Sequence, residues 1–164
     1  MSRHLFIIND QGLYEIKRPI RPDDIIQLAS NILYERLSHR ESLGSRDDIG
    51  CFLQLKLGNE ELENFGVLFL DAKHRLITFQ KLFSGTINSA VVYPRVLIKS
   101  ALTFNAAAVI LAHNHPSDDC EPSESDKRVT RQVKEALELI DIDVLDHFIV
   151  SRTGWISLGE RGLL

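Results

Sequence analysis

The feature that most constrains this chain is an uncharged apolar segment, residues 105–112, that runs directly into two histidines. A run of this kind is typical of a strand buried in the interior of a sheet. His113 and His115 stand at its end, and Ser123 and Asp126 follow in a segment typical of a helix start. The sequence therefore predicts a buried strand that ends in two imidazoles, then a turn, then a carboxylate at the start of a helix.

This arrangement is that of an open metal site. Two histidines separated by one residue point to the same side of an extended strand, about 6.6 Å apart. Zn²⁺ binds imidazole nitrogens at about 2.0–2.1 Å, so both rings can converge on one ion. The alternative interpretation of His113 and His115 is a pair of surface or turn histidines, and a metal site needs a third ligand.

Asp126 is the candidate third ligand, and it has a competing interpretation. The segment from Ser123 to Asp126 also matches a helix capping box, with the aspartate at the third helical position. The two roles are compatible only in part, because one short carboxylate cannot fully serve both a cap and a metal. Two imidazoles and one carboxylate would leave a fourth position for water, which is the pattern of a catalytic zinc site.

Hydrolysis at such a site also needs a base that takes a proton from the water. The acidic residues upstream are Glu60, Glu61, Glu63 and Asp71. Glu63 stands at the head of the predicted strand 64–70, so its backbone is expected to be fixed in the sheet. Glu60 and Glu61 look like solvated loop charges. Spacing alone favours Glu63 without excluding the others.

Composition and charge exclude several classes of protein. The chain has 164 residues, enough for one domain with a small N-terminal appendage, and its 44% hydrophobic residues can fill a core. The net charge of -4 argues against a strongly nucleic-acid-binding surface, although a local basic patch stays compatible with it. Cys51 and Cys120 are too few for a disulfide framework or a cysteine-rich zinc site.

Neither a membrane span nor a secretory signal is predicted. No window approaches 18 apolar residues, and the first ten residues are interrupted by polar side chains too early for a signal peptide. We therefore expect a soluble cytoplasmic protein.

Hydrophobic periodicity and turn residues predict one mixed sheet flanked by helices. The predicted elements are a hairpin or mobile arm within residues 5–16, helices from Pro22 and after Ser45, strands 64–70 and 75–83, a helix from Pro94, strand 106–112, a helix from Ser123, and strands 144–151 and 155–158. The buried face predicted for the helix from Pro94 comprises Val96, Leu97, Ala101 and Leu102.

The spacing His-x-His, seven residues, Ser-x-x-Asp, with an upstream glutamate, is similar to the JAMM motif of the JAB/MPN metalloprotease superfamily. The wider sequence resembles the RadC family within that superfamily. The segments that carry this resemblance are residues 63–71, 83–87, 92–95, 105–117 and 144–147. It covers about residues 46–164, which we predict to be a JAMM (MPN) catalytic domain, with residues 1–45 as an N-terminal arm and helix.

The resemblance implies an α/β (α+β) fold, with a mixed sheet flanked by helices in the layered arrangement that JAB/MPN domains share with cytidine deaminases. It implies that His113, His115 and Asp126 hold one Zn²⁺ per chain. Glu63 would take a proton from the attacking water and hand it to the leaving amine, and Ser123 would donate a hydrogen bond to the developing oxyanion. The implied activity is hydrolysis of a peptide or isopeptide bond in an unknown protein or peptide substrate.

The sequence departs from the family pattern at several positions. Typical members have glycine where Asp118 stands, and glutamate where Val96 follows Pro94 and Arg95. Cys120 lies close to the predicted metal site; we interpret it as an incidental exposed residue, with a competing zinc ligand as the alternative. His147 is interpreted as a structural or site-wall histidine rather than a ligand.

A second function stays open at this point. Typical full-length members carry an N-terminal helix-hairpin-helix DNA-binding region, and we expect this chain to be a short form that lacks it. The alternative to hydrolysis is a non-catalytic accessory protein for DNA repair or recombination that uses the fold as a binding module. A zinc deaminase is disfavoured, because its motif needs His-x-Glu and Pro-Cys-x-x-Cys.

Overall fold

The structure of the protein, a computed structural model, describes residues 6–17, 19–38, 44–85 and 92–164. Leu5, at the start of the predicted hairpin, and Thr86 and Ile87, within the segments that resemble the RadC family, lie outside these ranges. The helices are α1 (Pro22–Ser38), α2 (Arg46–Leu57), α3 (Pro94–Thr103) and α4 (Glu124–Glu138) within the described ranges. The strands there are β1 (Phe6–Ile8), β2 (Tyr14–Ile16), β3 (Asn64–Leu70), β4 (Leu76–Ser84), β5 (Ala108–Asn114), β6 (Asp143–Val150) and β7 (Trp155–Ser157).

The main sheet has the strand order β4-β3-β5-β6-β7. Strands β5 and β6 are parallel, and the other neighbouring pairs are antiparallel. Strands β1 and β2 form a separate antiparallel hairpin. The predicted mixed sheet is therefore confirmed, and so is the N-terminal hairpin.

Helices cover both faces of the main sheet. On one face, α1 and α2 pack against the sheet through residues such as Leu37, Phe52 and Leu53. On the other face, α3 and α4 do so through residues such as Leu97 and Val133. All seven residues of β3 and all seven of β5 are buried, as expected for strands covered on both sides. The result is the three-layered α+β fold that the sequence predicted.

The buried face of α3 is narrower than the sequence predicted. In α3, Leu97 and Ala101 are buried against the sheet, but Val96 is 38% exposed and Leu102 is 60% exposed. Successive residues of an α-helix are about 100° apart, so Val96 and Leu102 lie to either side of the line through Leu97 and Ala101. The prediction that all four are buried was wrong, because the apolar arc of the sequence is wider than the contact with the sheet.

The register of the central strands positions the end of β5. This strand continues through Asn114, two residues beyond the predicted 106–112, so His113 belongs to the sheet. Phe65 pairs with His113 in the antiparallel ladder, and continuing that register by two residues brings Glu63 opposite His115. Because side chains alternate along a strand, Glu63 and His115 lie on the face covered by α3 and α4.

None of the helices within the described ranges is sufficiently long and apolar to cross a bilayer.

Candidate metal centre

The two histidines converge at the carboxyl end of β5. His113 is 2% exposed, and His115 follows the strand while its backbone N–H still donates to the Val150 carbonyl at 2.9 Å. The ladder to β6 therefore keeps the backbone extended up to the second histidine. Their side chains project to the same side, and their Nε2 atoms are 3.0 Å apart.

Asp126 reaches the histidines from the first turn of α4. Its Oδ2 accepts hydrogen bonds from the backbone N–H and the hydroxyl of Ser123, both at 2.7 Å. The Ser123 Oγ accepts in turn from the Asp126 N–H at 3.1 Å, which completes a capping box. The other oxygen, Oδ1, is 3.2 Å from His113 Nε2. Oδ1 thus faces His113 outside the cap, whereas Oδ2 serves the cap and also lies 3.5 Å from His115 Nε2.

The donor atoms are spaced as ligands of a tetrahedral ion are spaced. Ligands about 2.0–2.1 Å from a tetrahedral Zn²⁺ would be about 3.3 Å from one another. The two Nε2 atoms are 3.0 Å apart, Asp126 Oδ1 is 3.2 Å from Nε2 of His113, and Asp126 Oδ2 is 3.5 Å from Nε2 of His115. Within the described residues, His113, His115 and Asp126 are the group that could hold a metal ion. The donor set fits zinc, which binds both imidazole and carboxylate.

A backbone carbonyl sets the tautomer of His115. Its Nδ1 lies 2.6 Å from the carbonyl oxygen of Asp119. A carbonyl oxygen only accepts hydrogen bonds, so Nδ1 carries the proton and Nε2 presents its lone pair to the space shared with His113 and Asp126. This is the form of the ring that can bind a metal.

The charges at the centre favour ionised Asp126. Burial alone would raise the pKa of this carboxyl, but its contacts with the imidazoles of His113 and His115 and its hydrogen bond from Ser123 outweigh burial and hold the pKa well below its usual range. Burial lowers the pKa of His115, yet the Asp126 carboxylate and the Asp119 carbonyl outweigh that effect and raise it. Without a metal, the carboxylate of Asp126 and the imidazole of His115 would share a proton. A cation bound between them would replace that proton.

Glu63 immediately precedes β3, at the end of the sheet where the pairing of β3 with β4 ends. Its carbonyl accepts a hydrogen bond from the Gly85 N–H at 2.8 Å, which fixes its backbone. Its side chain is half-buried, and its negative charge contributes to the raised pKa of His115. The structure therefore brings the predicted base and the predicted ligands to one end of the sheet.

Asn114 ties this segment to β5, which the sequence did not indicate. Its Oδ1 accepts from the Asn64 N–H at 2.8 Å, and its Nδ2 donates to the carbonyls of Leu62 and Glu60 at 3.1 and 3.3 Å. These bonds extend the contact between β3 and β5 past their last backbone pairs. Asn114 therefore holds the chain on both sides of Glu63.

Further contacts that support His113 come from β6 and α4. His147 Nε2 is 2.9 Å from His113 Nδ1, and His147 Nδ1 is 2.6 Å from the hydroxyl of Thr130. The His113 ring stacks on Phe65, with 8° between the ring planes. Burial, and then the neighbouring His113, hold the pKa of His147 well below its ordinary value. Sequence reasoning treated His147 as a structural or site-wall histidine and missed Thr130, whose one indication was its position four residues after Asp126.

The structure explains how aspartate can stand at position 118, where typical family members have glycine. Asp118 has φ +63°, a left-handed conformation that glycine adopts most readily and aspartate tolerates. Its carboxylate also forms an ion pair with Arg152, with the Nε to Oδ2 bond at 2.9 Å. The aspartate thus occupies a backbone position suited to the glycine of the family pattern and links the loop to the β6–β7 turn.

Cys120 contacts the turn between β6 and β7 and is not part of the candidate ligand group. Its Sγ lies 3.5 Å from the carbonyl oxygen of Gly154. It is half-buried rather than fully exposed. The structure thus gives no support to Cys120 as a competing ligand.

Comparisons with known proteins identify the family. The sequence model of a family described as "RadC-like JAB domain" matches residues 43–163. UPF0758 protein Mpe_A2695 of Methylibium petroleiphilum is 49% identical over 140 residues, which are 85% of this chain and 63% of that protein. A UPF0758 protein of Vibrio cholerae is 45% identical over 162 residues, 99% of this chain and 97% of that protein.

Another UPF0758 protein, of Pseudomonas fluorescens, is 50% identical over 138 residues, 84% of this chain and 62% of that protein. The chain thus spans less than two thirds of the length of some relatives and nearly all of another. The layered fold, the histidines at the end of β5 and the matched family model agree. The chain belongs to the RadC-like JAB domain family.

Proposed function

We propose that the protein is a zinc-dependent hydrolase of the JAMM type that cleaves a peptide or isopeptide bond. The observation that carries the proposal is the convergence of His113, His115 and Asp126, whose two Nε2 atoms are 3.0 Å apart and lie 3.2 and 3.5 Å from one or the other carboxylate oxygen. Three protein ligands are typical of catalytic zinc sites, whereas structural sites usually have four. Family membership supports the same conclusion, because the JAB superfamily includes metal-dependent hydrolases.

Bound zinc would lower the pKa of water to about 7 and polarise the substrate carbonyl. Glu63 is then the base: its carboxylate takes a proton from the water whose oxygen attacks the carbonyl carbon. As the C–N bond breaks, Glu63 gives that proton to the leaving nitrogen. Its position opposite His115, fixed by the Gly85 and Asn114 contacts, suits both transfers.

Ser123 has a second role in this proposal. Its hydroxyl proton is directed at Asp126 Oδ2 at 2.7 Å. Rotation about the Cβ–Oγ bond would redirect that proton to a developing oxyanion. The backbone N–H of Ser123 would continue to cap Asp126 during this rotation.

Metal analysis of protein purified without chelator tests the site. We expect close to one zinc per chain, lost in His113→Ala and in Asp126→Ala. His74→Asn is the matched control, because His74 is an exposed turn histidine with φ +56°, a conformation that asparagine tolerates. Zinc bound equally well by the ligand variants and by this control would refute the site assignment.

Hydrolysis is tested with a library of fluorescence-quenched peptides and lysine-linked isopeptides. Glu63→Gln should keep zinc and lose cleavage, while Glu61→Gln, at an exposed position two residues away, should keep both. Cleavage by Glu63→Gln would remove Glu63 as the base. A zinc-loaded protein that cleaves nothing in the library but binds duplex DNA would instead support the accessory-protein alternative.

A further inference from the structure

A chain of short hydrogen bonds leads from the candidate metal centre into the core and returns to it. It runs from His113 Nδ1 to His147 Nε2 at 2.9 Å, and from His147 Nδ1 to Thr130 Oγ1 at 2.6 Å. The Thr130 hydroxyl then donates to the backbone carbonyl of Asp126 at 2.6 Å. Four residues from β5, β6 and α4 thus form a closed circuit that includes two of the three candidate ligands.

The number of available protons fixes the direction of this circuit. A hydroxyl has one proton, and Thr130 gives it to the Asp126 carbonyl, so towards His147 it can only accept. His147 Nδ1 must therefore carry a hydrogen. An imidazolium with no exposed surface would be costly, so the His147 ring is neutral and its Nε2 is bare. That bare nitrogen accepts from His113 Nδ1–H and leaves the lone pair of His113 Nε2 free.

If every hydrogen bond of this circuit ran in the opposite direction, His113 would have the tautomer that cannot bind a metal through Nε2. If Thr130 donated to His147 Nδ1, then His147 Nε2 would donate to His113, and His113 Nε2 would carry a hydrogen facing Asp126 Oδ1 at 3.2 Å. A protonated Nε2 cannot bind a metal. The Asp126 carbonyl opposes this state because it captures the hydroxyl proton.

Burial makes the circuit independent of solvent. His113 is 2% exposed, Thr130 is 1% exposed and His147 is 0% exposed. The rings of Phe65 and His147 pack in an edge-to-face arrangement with 5.5 Å between the ring centroids. Water is therefore excluded from replacing a lost partner, and each member depends on the next.

We propose that Thr130 and His147 are positioning residues that fix His113 in the Nδ1–H tautomer and hold its Nε2 ready for the metal. The proposal deepens the proposed function and rests on it for the metal. The direction of the circuit itself rests only on the hydrogen bonds of the protein, so the two can fail separately.

Long-range ¹H–¹⁵N correlation NMR of the histidine rings tests the direction. We expect the Nδ1–H tautomer for His147 in the metal-free and in the zinc-loaded protein, and for His113 in the zinc-loaded protein. An Nε2–H tautomer at His147 in the zinc-loaded protein would overturn the proposal. This spectrum needs no variant, so it stays decisive even if substitutions in the core impair folding.

Zinc affinity, measured by competition with a fluorescent chelator, tests the consequence. Thr130→Val should bind zinc about 10–100-fold more weakly, the usual effect of removing an outer partner of a ligand histidine. Thr130→Ser keeps the hydroxyl and should restore near-parental affinity. Thr103→Val is the matched control, because Thr103 makes the same hydroxyl-to-carbonyl bond, to Lys99 at 2.8 Å, on the exposed side of α3.

His147 provides a second comparison. His147→Phe keeps a ring and removes the acceptor, whereas His147→Gln can place an amide oxygen where Nε2 accepts from His113. The glutamine variant should therefore bind zinc more tightly than the phenylalanine variant.

The outcomes separate the two proposals. Equal zinc affinity in Thr130→Val and Thr103→Val would overturn the positioning role. If the parent protein binds no zinc, the proposed function fails, while an Nδ1–H tautomer at His147 in the metal-free protein would still support the direction of the circuit.

Discussion

Replacing Asn114 with alanine should destabilise the protein by about 2–3 kcal/mol. The substitution removes three hydrogen bonds from a side chain with 0% exposure, and such bonds contribute about 0.5–1.5 kcal/mol each. The Asn64 N–H stays buried and loses its partner, so the cost of losing this bond falls at the upper end of that range. Leu62 is exposed and Glu60 is half-buried, so we expect water to replace the bonds to their carbonyls, and the cost of losing each bond falls at the lower end of that range.

Urea denaturation of chelator-treated protein measures this loss without a contribution from metal binding. For a chain of this size, about 2–4 °C per kcal/mol predicts a fall in Tm of roughly 5–10 °C. Asn59→Ala is the matched control, because Asn59 is exposed and makes no side-chain hydrogen bond to the described residues. An Asn114→Ala variant as stable as this control would refute the argument that the Asn114 side chain holds the start of β3.

The same variant separates the two halves of the centre. Asn114 holds the segment that carries Glu63, whereas His113 and His115 are held by the ladder to β6 and by their own partners. We therefore expect Asn114→Ala to keep its zinc stoichiometry while cleavage of the peptide library falls. Loss of zinc with unchanged stability would contradict this division.

Three further substitutions test other parts of the fold. Gly50→Ala would bring a Cβ against the ring of Trp155, closer than van der Waals contact allows, so it should cost about 1–3 kcal/mol by overpacking, measured as a lower urea midpoint. Hydrogen bonds from Arg75 lower the pKa of Asp71 from 3.8 to about 2. Because the folded pKa is the lower one, this carboxylate stabilises the protein above about pH 4 and loses that effect as the pH falls towards 2; Asp71→Asn should flatten the stability profile across that window, and an unchanged acid slope would contradict it. At Asp118, which has φ +63°, replacement by alanine should destabilise more than replacement by glycine, and the opposite order in thermal melts would exclude backbone conformation as the reason for the family glycine.

The sequence predicted the sheet, its helices and their order, because apolar periodicity and turn residues are local properties of the chain. The position of β5 was also predictable, since an uncharged run such as 105–112 can hardly lie anywhere but in the interior. Predictions of which side chains are buried were weaker, because burial depends on contacts between elements that are distant in the sequence. Val96 and Leu102 extend the apolar arc of α3 beyond the surface that the sheet covers.

The contacts around the candidate ligands show the same limit. Nothing in the local sequence pairs Thr130 with His147, or Asn114 with the carbonyls near Glu63, because these partners meet only after α4 and β3 have packed beside β5. Asp126 is the instructive case. Its cap and ligand roles compete for one residue in the sequence, but in the structure one carboxylate serves both, with Oδ2 in the cap and Oδ1 facing His113 outside it.

The use of one carboxylate as both cap and candidate ligand connects the lifetime of a bound metal to the end of a helix. Helix termini open more readily than helix centres, and opening the first turn of α4 would withdraw Asp126 from the histidines as it broke the bonds to Ser123. Metal release could then proceed through fraying of a single turn, with the sheet still folded. A bound ion would conversely keep that turn closed, since a ligand of the folded form stabilises it by mass action. The backbone amides at the start of α4 would therefore exchange with solvent more slowly in the loaded protein.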